Sequence, residues 1–283
     1  MEPLKIAYFT HQNITTALEH LRITGPISYT HNKILKGTLN NQDVFKYIEQ
    51  ANLVVIQRDF PSDINFYTKV LEYARELKKP LVYDFDDNLF ILPEDHPDRK
   101  SFVYTKALMP MLQAAFEADF LTVTNESLKR KLEEVNPNIY VLPNFLDDQI
   151  WQLLPLKDPS VKKTLTIAYM GGDSHKPDLE FIAPVLCEIK EKFPEKINYH
   201  FYGVKAPDCV MAFRDTVWEP LKTYQYAEFA NDFQKTDADI FIAPLLNNEF
   251  NQCKSAIKFL EYSSMGVPGV YSRVFPYEQV IVD

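Results

Sequence analysis

Short apolar runs alternate with longer amphipathic stretches along the chain, and no other feature restricts the fold as much. Ile6 to Phe9, Leu53 to Ile56, Leu81 to Tyr83, Phe120 to Val123 and Tyr140 to Leu142 each have the length and apolar content of a buried strand. Between them, residues 64–78 place Ile64, Tyr67, Val70, Leu71, Ala74 and Leu77 close to helical spacing, and residues 102–117 and 127–135 behave alike. Strands buried on both faces and connected through helices build a mainly parallel sheet, so the expected class is α/β.

The pattern breaks at residues 143–163. Pro143, Pro155 and Pro159 stand there among Asp147, Asp148, Lys157, Asp158, Lys162 and Lys163, with Trp151, Leu153 and Leu154 as apolar anchors onto a neighbouring surface. The alternation then starts again. Leu165 to Tyr169 reads as a strand ending in Met170-Gly171-Gly172, a helix runs from near Pro177 to about Phe193, and Tyr199 to Tyr202 is a strand closed by Gly203. A helix over 226–236, a strand at Phe241 to Ala243, a helix over 255–264 and a strand beginning at Val270 follow. This restart predicts two Rossmann-like domains with parallel sheets facing across a cleft, residues 1–145 and 164–283, joined by a linker at 146–163. A single doubly wound domain is the alternative.

Such sheets commonly hold nucleotides, yet two familiar phosphate loops are missing. Only 7 of the 283 residues are glycine, no three of them have GxGxxG spacing, and none precedes Lys-Ser/Thr as in a P-loop. The formal net charge is -9, with 16 Lys and Arg against 21 Asp and Glu in residues 1–150 and 14 against 18 in the remainder. Neither half is basic, which argues against a nucleic-acid partner, although a local basic pocket can hide in such an average. Cys187, Cys209 and Cys253 lack CxxC spacing, so neither a disulfide scaffold nor a structural zinc site is expected, and a reducing, cytoplasmic compartment fits best. The N-terminus enters a strand pattern directly and no apolar run approaches a bilayer span. Association with the inner face of a membrane stays open.

Four places carry candidate chemistry. In Gly171-Gly172-Asp173-Ser174-His175-Lys176-Pro177, a strand, two glycines and a helix start form a nest for an anion, with Lys176 supplying charge. The competing reading is a plain strand-to-helix loop capped by Ser174. Lys254, Lys258 and Glu261 fall at helical positions i, i+4 and i+7, which suits a diphosphate near the lysines, with Ser255 opening the helix, and a sugar hydroxyl at the glutamate. An ordinary surface pair between Lys258 and Glu261 explains the same spacing. Asp84, Asp86 and Asp87 follow a strand and would orient substrate hydroxyls, hold a hard cation, or cap the next turn. His11 and Arg22 follow the first strand and His96 follows the acidic loop, where sheet crevices form.

These residues, taken in order, resemble a GT-B glycosyltransferase of the large retaining family 4. Val123-Thr124 and Val141-Leu142-Pro143-Asn144 are similar to the last elements of that family's first domain and the crossover from it. Gly171-Gly172 to Asp178-Leu179 is similar to the opening of its donor domain, and Tyr226, Phe229, Ala238-Asp239 and Ala243-Pro244-Leu245 to the approach to its donor loop. Lys258-Phe259-Leu260-Glu261-Tyr262-Ser263-Ser264-Met265-Gly266-Val267-Pro268 resembles the stretch whose glutamate holds the donor ribose. In one respect the chain departs from the family. The first of two glutamates separated by seven residues falls on Cys253, where Glu249 or Asn251 would have to substitute.

The resemblance implies transfer of a sugar from a nucleotide-diphosphate-sugar donor to a glycan, lipid-linked or protein hydroxyl with retention, and no metal cofactor. With that reading, Gly171, Gly172, Ser174, Lys176, Lys254, Ser255, Lys258 and Glu261 are the candidates for the donor and its phosphates, and His11, Arg22 and Asp84 those for the acceptor side. His96, Asp86 and Asp87, with Lys258, are the catalytic candidates. A non-catalytic sugar or nucleotide binding module and a metal-dependent enzyme centred on Asp84 and Asp86 are the rival readings. The family's second domain runs further than residues 164–283, so a fragment of a longer polypeptide is expected.

Overall fold

The computed structural model describes residues 2–10, 16–37, 44–157, 162–222 and 225–281. The chain divides into two compact units. The first comprises Met1–Pro93, Ser101–Phe145 and Gln252–Ser255, and the second Glu94–Lys100, Leu146–Asn251 and Ala256–Asp283.

Among the described residues of the first unit, strands β1 (Lys5–Phe9), β2 (Lys33–Gly37), β3 (Leu53–Gln57), β4 (Leu81–Phe85), β5 (Phe120–Val123) and β6 (Ile139–Val141) form a sheet in the order β2-β1-β3-β4-β5-β6. Every pairing is parallel. Ala7, Tyr8 and Phe9 are fully buried, as are Val54, Ile56, Tyr83 and Phe85, because helices cover both faces. The helix Ile64–Glu76 shows the local logic. Asp63 caps it by accepting from Phe66 N at 3.1 Å, and Tyr67, Val70, Leu71 and Ala74 bury the stripe expected from their spacing.

Two expectations shift here. Residues 101–107 are turns and the helix begins only at Leu108, with Pro110 in its first turn, where a missing N–H leaves no carbonyl unserved. Strand β2, Lys-Ile-Leu-Lys-Gly, lies at the sheet edge with half-exposed residues, so its apolar signal is too thin to be read from sequence.

In the second unit, β7 (Leu165–Gly171), β8 (Ile197–Gly203), β9 (Thr216–Glu219), β10 (Ile240–Ala243) and β11 (Gly269–Tyr271) form a parallel sheet in the order β11-β10-β7-β8-β9. Ile167, Tyr169, Leu179, Leu186, Tyr199 and Phe201 build its core with the helix Lys176–Lys192. The ring of Phe233, on the helix Tyr226–Phe233, stacks on Phe229 at 5.5 Å, and Phe241 stacks on Tyr262 at 4.1 Å. The expected class, two α/β units each with a parallel sheet, is the one observed.

The segment expected to link the domains is built into the second unit over 146–157. Trp151 is 1 % exposed and packs on Tyr226, Phe229 and Phe233. Leu153 and Leu156 stay largely exposed instead. Backbone bonds from Leu154 N to Ser264 O and from Lys157 N to Gly266 O, both 2.7 Å, hold the strap in place.

Candidate functional site

Each sheet changes winding direction once. In the second unit the change falls between β7 and β10, and in the first between β1 and β3. The loops leaving the carboxyl ends of strands diverge there, which opens a crevice for ligands.

In the second unit β7 ends at Gly171, and a tyrosine explains the glycine. A Cβ on Gly171 would lie 2.3 Å from the buried hydroxyl of Tyr169, which has no hydrogen-bond partner among the described residues. Gly172 is exposed, and a Cβ built on it meets nothing within 4 Å. Asp173–His175 then makes a single tight turn, closed by His175 N donating to Gly172 O at 3.0 Å, before the helix Lys176–Lys192 begins.

Three elements meet at this point. Asp178, 2 % exposed, accepts at Oδ1 from Leu246 N at 2.8 Å and from Asn251 Nδ2 at 3.3 Å. Its Oδ2 lies 2.8 Å from Nδ1 of His175. The other ring nitrogen of His175 lies 3.0 Å from Nζ of Lys258, on the helix Ile257–Ser264 that follows β10. One turn further on, Glu261 is 3 % exposed and its Oε1 accepts from the Tyr226 hydroxyl at 3.0 Å. Burial pushes the Glu261 carboxyl up to about 7, against the opposing pull of the Tyr226 hydrogen bond and the Lys258 charge.

Further along the same carboxyl edge, Tyr202, Glu219, Leu221, Phe229, Asp232 and Phe233 line a groove. Glu219 is held there by His200 Nε2 at 3.0 Å and Lys222 Nζ at 3.5 Å. Sequence reasoning missed this groove because its walls come from an edge strand and a helix whose aromatic residues read as core.

The donor-side candidates separate. Gly171, Gly172, Ser174, Lys258 and Glu261 gather in the second unit at the β7/β10 change. Lys176 is 63 % exposed and pairs at 3.9 Å with Glu180, so His175 and not Lys176 faces Lys258. Lys254 does not share a helix face with Lys258 and Glu261. Asn251–Cys253 forms a separate tight turn and the helix starts only at Ile257.

Residues 252–255 belong to the first unit, where Asn125 Nδ2 donates to Lys254 O at 2.8 Å and Asn144 Nδ2 to Ser255 Oγ at 2.9 Å. Cys253, where the resemblance would place a sugar-facing glutamate, is fully buried, with Ser127 Oγ 3.9 Å from its sulfur. Asn251 offers no free substitute, being 5 % exposed and engaged with Asp178 and Leu246 O.

The acceptor-side set in the first unit changes more. Arg22 and Asp84, each with a 1 % exposed side chain, bind one another at 2.7 Å. Asp84 also accepts from Thr122 Oγ1 at 2.7 Å and Gln57 Nε2 at 3.2 Å, while Arg22 donates to the carbonyl of Leu142. Both side chains are buried and paired within the first unit.

Asp86 differs. Its Oδ2 lies 3.6 Å from Arg58 Nη1, but its buried Oδ1 and the buried Nε of Arg58 have no hydrogen-bond partner among the described residues. Burial pushes its carboxyl up to about 6, with Arg58 pulling the other way. Arg58 itself, at φ 50° just past β3, was missed by sequence reasoning, although its position beyond a strand end is the signal that singles out such residues. Asp87 is half-buried, and its carbonyl accepts from Leu89 N at 3.0 Å.

His96 belongs to the second unit, is 6 % exposed, stands edge-on to Phe250 at 5.1 Å and accepts from Asp98 N at 3.2 Å. Its ring caps the short helix Pro97–Lys100. His11 lies outside the described residues. Among the described residues no group of three or more His, Cys, Asp and Glu is arranged to hold a metal, and no helix is long and apolar enough to cross a membrane. Asp84 and Asp86 each face an arginine, the opposite of what a cation site needs.

No family model and no curated protein matches the chain in sequence. Solved structures do match in fold. The chain is similar to an α-glucosyltransferase in complex with UDP, with a TM-score of 0.65 and 11 % identity over 98 % of this chain and 85 % of that one. It is also similar to α-glucosyltransferase in complex with UDP and a 13-mer DNA containing an HMU base (TM-score 0.60, 12 % identity, 97 % of this chain, 81 % of that one). A third is WaaG, a glycosyltransferase involved in lipopolysaccharide biosynthesis (TM-score 0.58, 10 % identity, 97 % and 82 %). At such identity the likeness speaks for the fold, which is GT-B: two α/β domains with parallel sheets.

One expectation is overturned by these likenesses. The net charge argues against a nucleic-acid partner, yet a structure of this fold holds DNA. Net charge sums over the whole surface and is blind to local runs, such as Lys129-Arg130-Lys131 on the helix Glu126–Leu132.

Proposed function

We propose that the chain is a retaining glycosyltransferase, similar to those of family 4, that uses a nucleoside diphosphate sugar. The observation that carries this reading is the meeting of Lys258 with His175 at 3.0 Å where the winding of the second sheet changes, beside the open backbone at Gly172. An ammonium, a bare glycine turn and a helix start together suit a diphosphate. In this reading Glu261 meets ribose hydroxyls, and the groove walled by Tyr202 and Phe229 suits a flat base. Chemically, such a site stabilises the charge that grows on the diphosphate as the sugar leaves. The acceptor hydroxyl attacks the anomeric carbon as the bond to the diphosphate breaks, and its proton passes to the leaving diphosphate oxygen in the same step.

The DNA-bound structures bring a nucleic-acid-linked hydroxyl into this reading as the acceptor. Calorimetry with a panel of nucleoside diphosphates, followed by transfer assays on DNA containing HMU and on unmodified DNA, tests it. Micromolar binding of one diphosphate and sugar transfer to the modified DNA are expected. No affinity for any nucleoside diphosphate would overturn the donor site, and transfer to none of the DNAs would overturn the acceptor class. A second reading, binding without turnover, is favoured by the burial of Cys253, and tight diphosphate binding without donor hydrolysis or transfer would establish it.

A further inference from the structure

We propose that His175 is a positioning residue for Lys258. Asp178 holds it in the Nδ1–H form, its Nε2 accepts a hydrogen bond from the ammonium, and the ammonium is thereby set in place before a diphosphate arrives. The proposal rests on reading the β7/β10 site as a diphosphate site, and it adds residues that neither the resemblance nor the fold assigns.

The geometry leaves one self-consistent arrangement of protons. A lysine ammonium has donors and no acceptor, so the 3.0 Å approach of Nζ to Nε2 requires a lone pair on Nε2. The remaining ring proton then sits on Nδ1, where Asp178 Oδ2 receives it at 2.8 Å. Asp178 is itself immobilised by Leu246 N and Asn251 Nδ2 on its other oxygen. The chain of contacts runs from a fixed loop through a carboxylate and an imidazole to the ammonium.

The chemistry of the middle group matters. A carboxylate touching Lys258 directly would hold it by neutralising it and would then compete with phosphate oxygens. A neutral imidazole orients the ammonium without itself neutralising it. Lysine loses considerable rotamer freedom when it is ordered on a ligand, and ordering it beforehand is worth about tenfold in Kd.

Two measurements test this. On the ligand-free protein, long-range 1H–15N NMR of the histidine rings, assigned with His175→Gln, reads the tautomer. A neutral ring protonated on Nδ1, whose Nε2 resonance moves in Lys258→Met, is expected. A ring protonated on Nε2, singly or doubly, overturns the proposal whatever the protein binds. Calorimetry with UDP, GDP and ADP on wild type and variants is the second test. For whichever diphosphate wild type binds, His175→Ala should weaken binding about tenfold, and His175→Gln, whose amide oxygen can still accept from Lys258, should recover most of the loss. Affinity for the matching nucleoside should stay unchanged.

If Lys258→Ala loses affinity and His175→Ala does not, the positioning role is wrong while the donor site stands. If wild type binds none of the three, the donor reading fails, and the NMR result alone decides the His175–Lys258 pair.

Discussion

Tyr226 donates its hydroxyl to Oε1 of Glu261 across 3.0 Å while accepting the indole N–H of Trp151 at 3.0 Å. One phenol thus ties the strap at Trp151 to the carboxylate expected to hold a ribose. Tyr226→Phe strands a buried indole donor and a buried carboxylate oxygen together. Loss of a buried partner costs about 1–3 kcal/mol, so chemical denaturation should show a drop of that size with an unchanged m-value. A variant as stable as wild type would mean that the contact carries no weight in folding.

Stability should also fall as pH rises through neutrality. Glu261 and Asp86 are pushed up to about 7 and about 6, from 4.5 and 3.8. Below the unfolded values both states hold the protons and nothing is lost. Between the unfolded and folded values the unfolded chain ionises first, so each pH unit in that window removes about 1.4 kcal/mol per group. Urea unfolding at pH 5 and pH 8 should show the loss, and Glu261→Gln should flatten the profile. An identical pH slope in the variant would refute the assignment to Glu261.

What the sequence reveals depends on how far apart the partners lie. Strands such as Ile6–Phe9 and Leu81–Phe85 are buried on both faces and announce themselves as apolar runs, whereas the edge strands β2 and β9 keep polar residues and do not. Lys258 and Glu261 are legible because one helix carries both. The partnership of His175 with Lys258 spans 83 positions, and that of Arg22 with Asp84 spans 62, so no local pattern records either. Extending the helix of Lys258 back to Lys254 fails for a local reason, since Asn251–Cys253 makes its own turn.

Arg22 and Asp84 should behave as parts of the fold. Their pairing at 2.7 Å is almost wholly removed from water. Removing one partner of such a pair strands the other charge and costs about 3–5 kcal/mol. Arg22→Ala and Asp84→Asn should each lower the melting temperature strongly, while the surviving folded fraction keeps the wild-type KM for the acceptor. A stable Asp84→Asn protein with a raised acceptor KM would restore Asp84 to the substrate side.

Two glycines should separate stability from binding. Gly266 has φ 64°, and a Cβ there would lie 2.0 Å from the carbonyl oxygen of Pro155, in the strap whose Lys157 N bonds back to Gly266 O. Gly266→Ala must carry the left-handed backbone and move the strap, a cost of about 1–3 kcal/mol from the conformation alone. Gly172 has neither burden: its φ is -81° and the space where a side chain would stand is open. Gly172→Ala should leave stability within about 0.5 kcal/mol of wild type. If that open space is where phosphate oxygens approach the backbone, the same methyl group should weaken nucleoside diphosphate binding and spare the nucleoside. Thermal melts and calorimetry on the two variants should therefore give opposite results, with Gly266→Ala losing stability and Gly172→Ala losing affinity. Gly172→Ala binding the diphosphate as tightly as wild type would move the phosphates away from this turn.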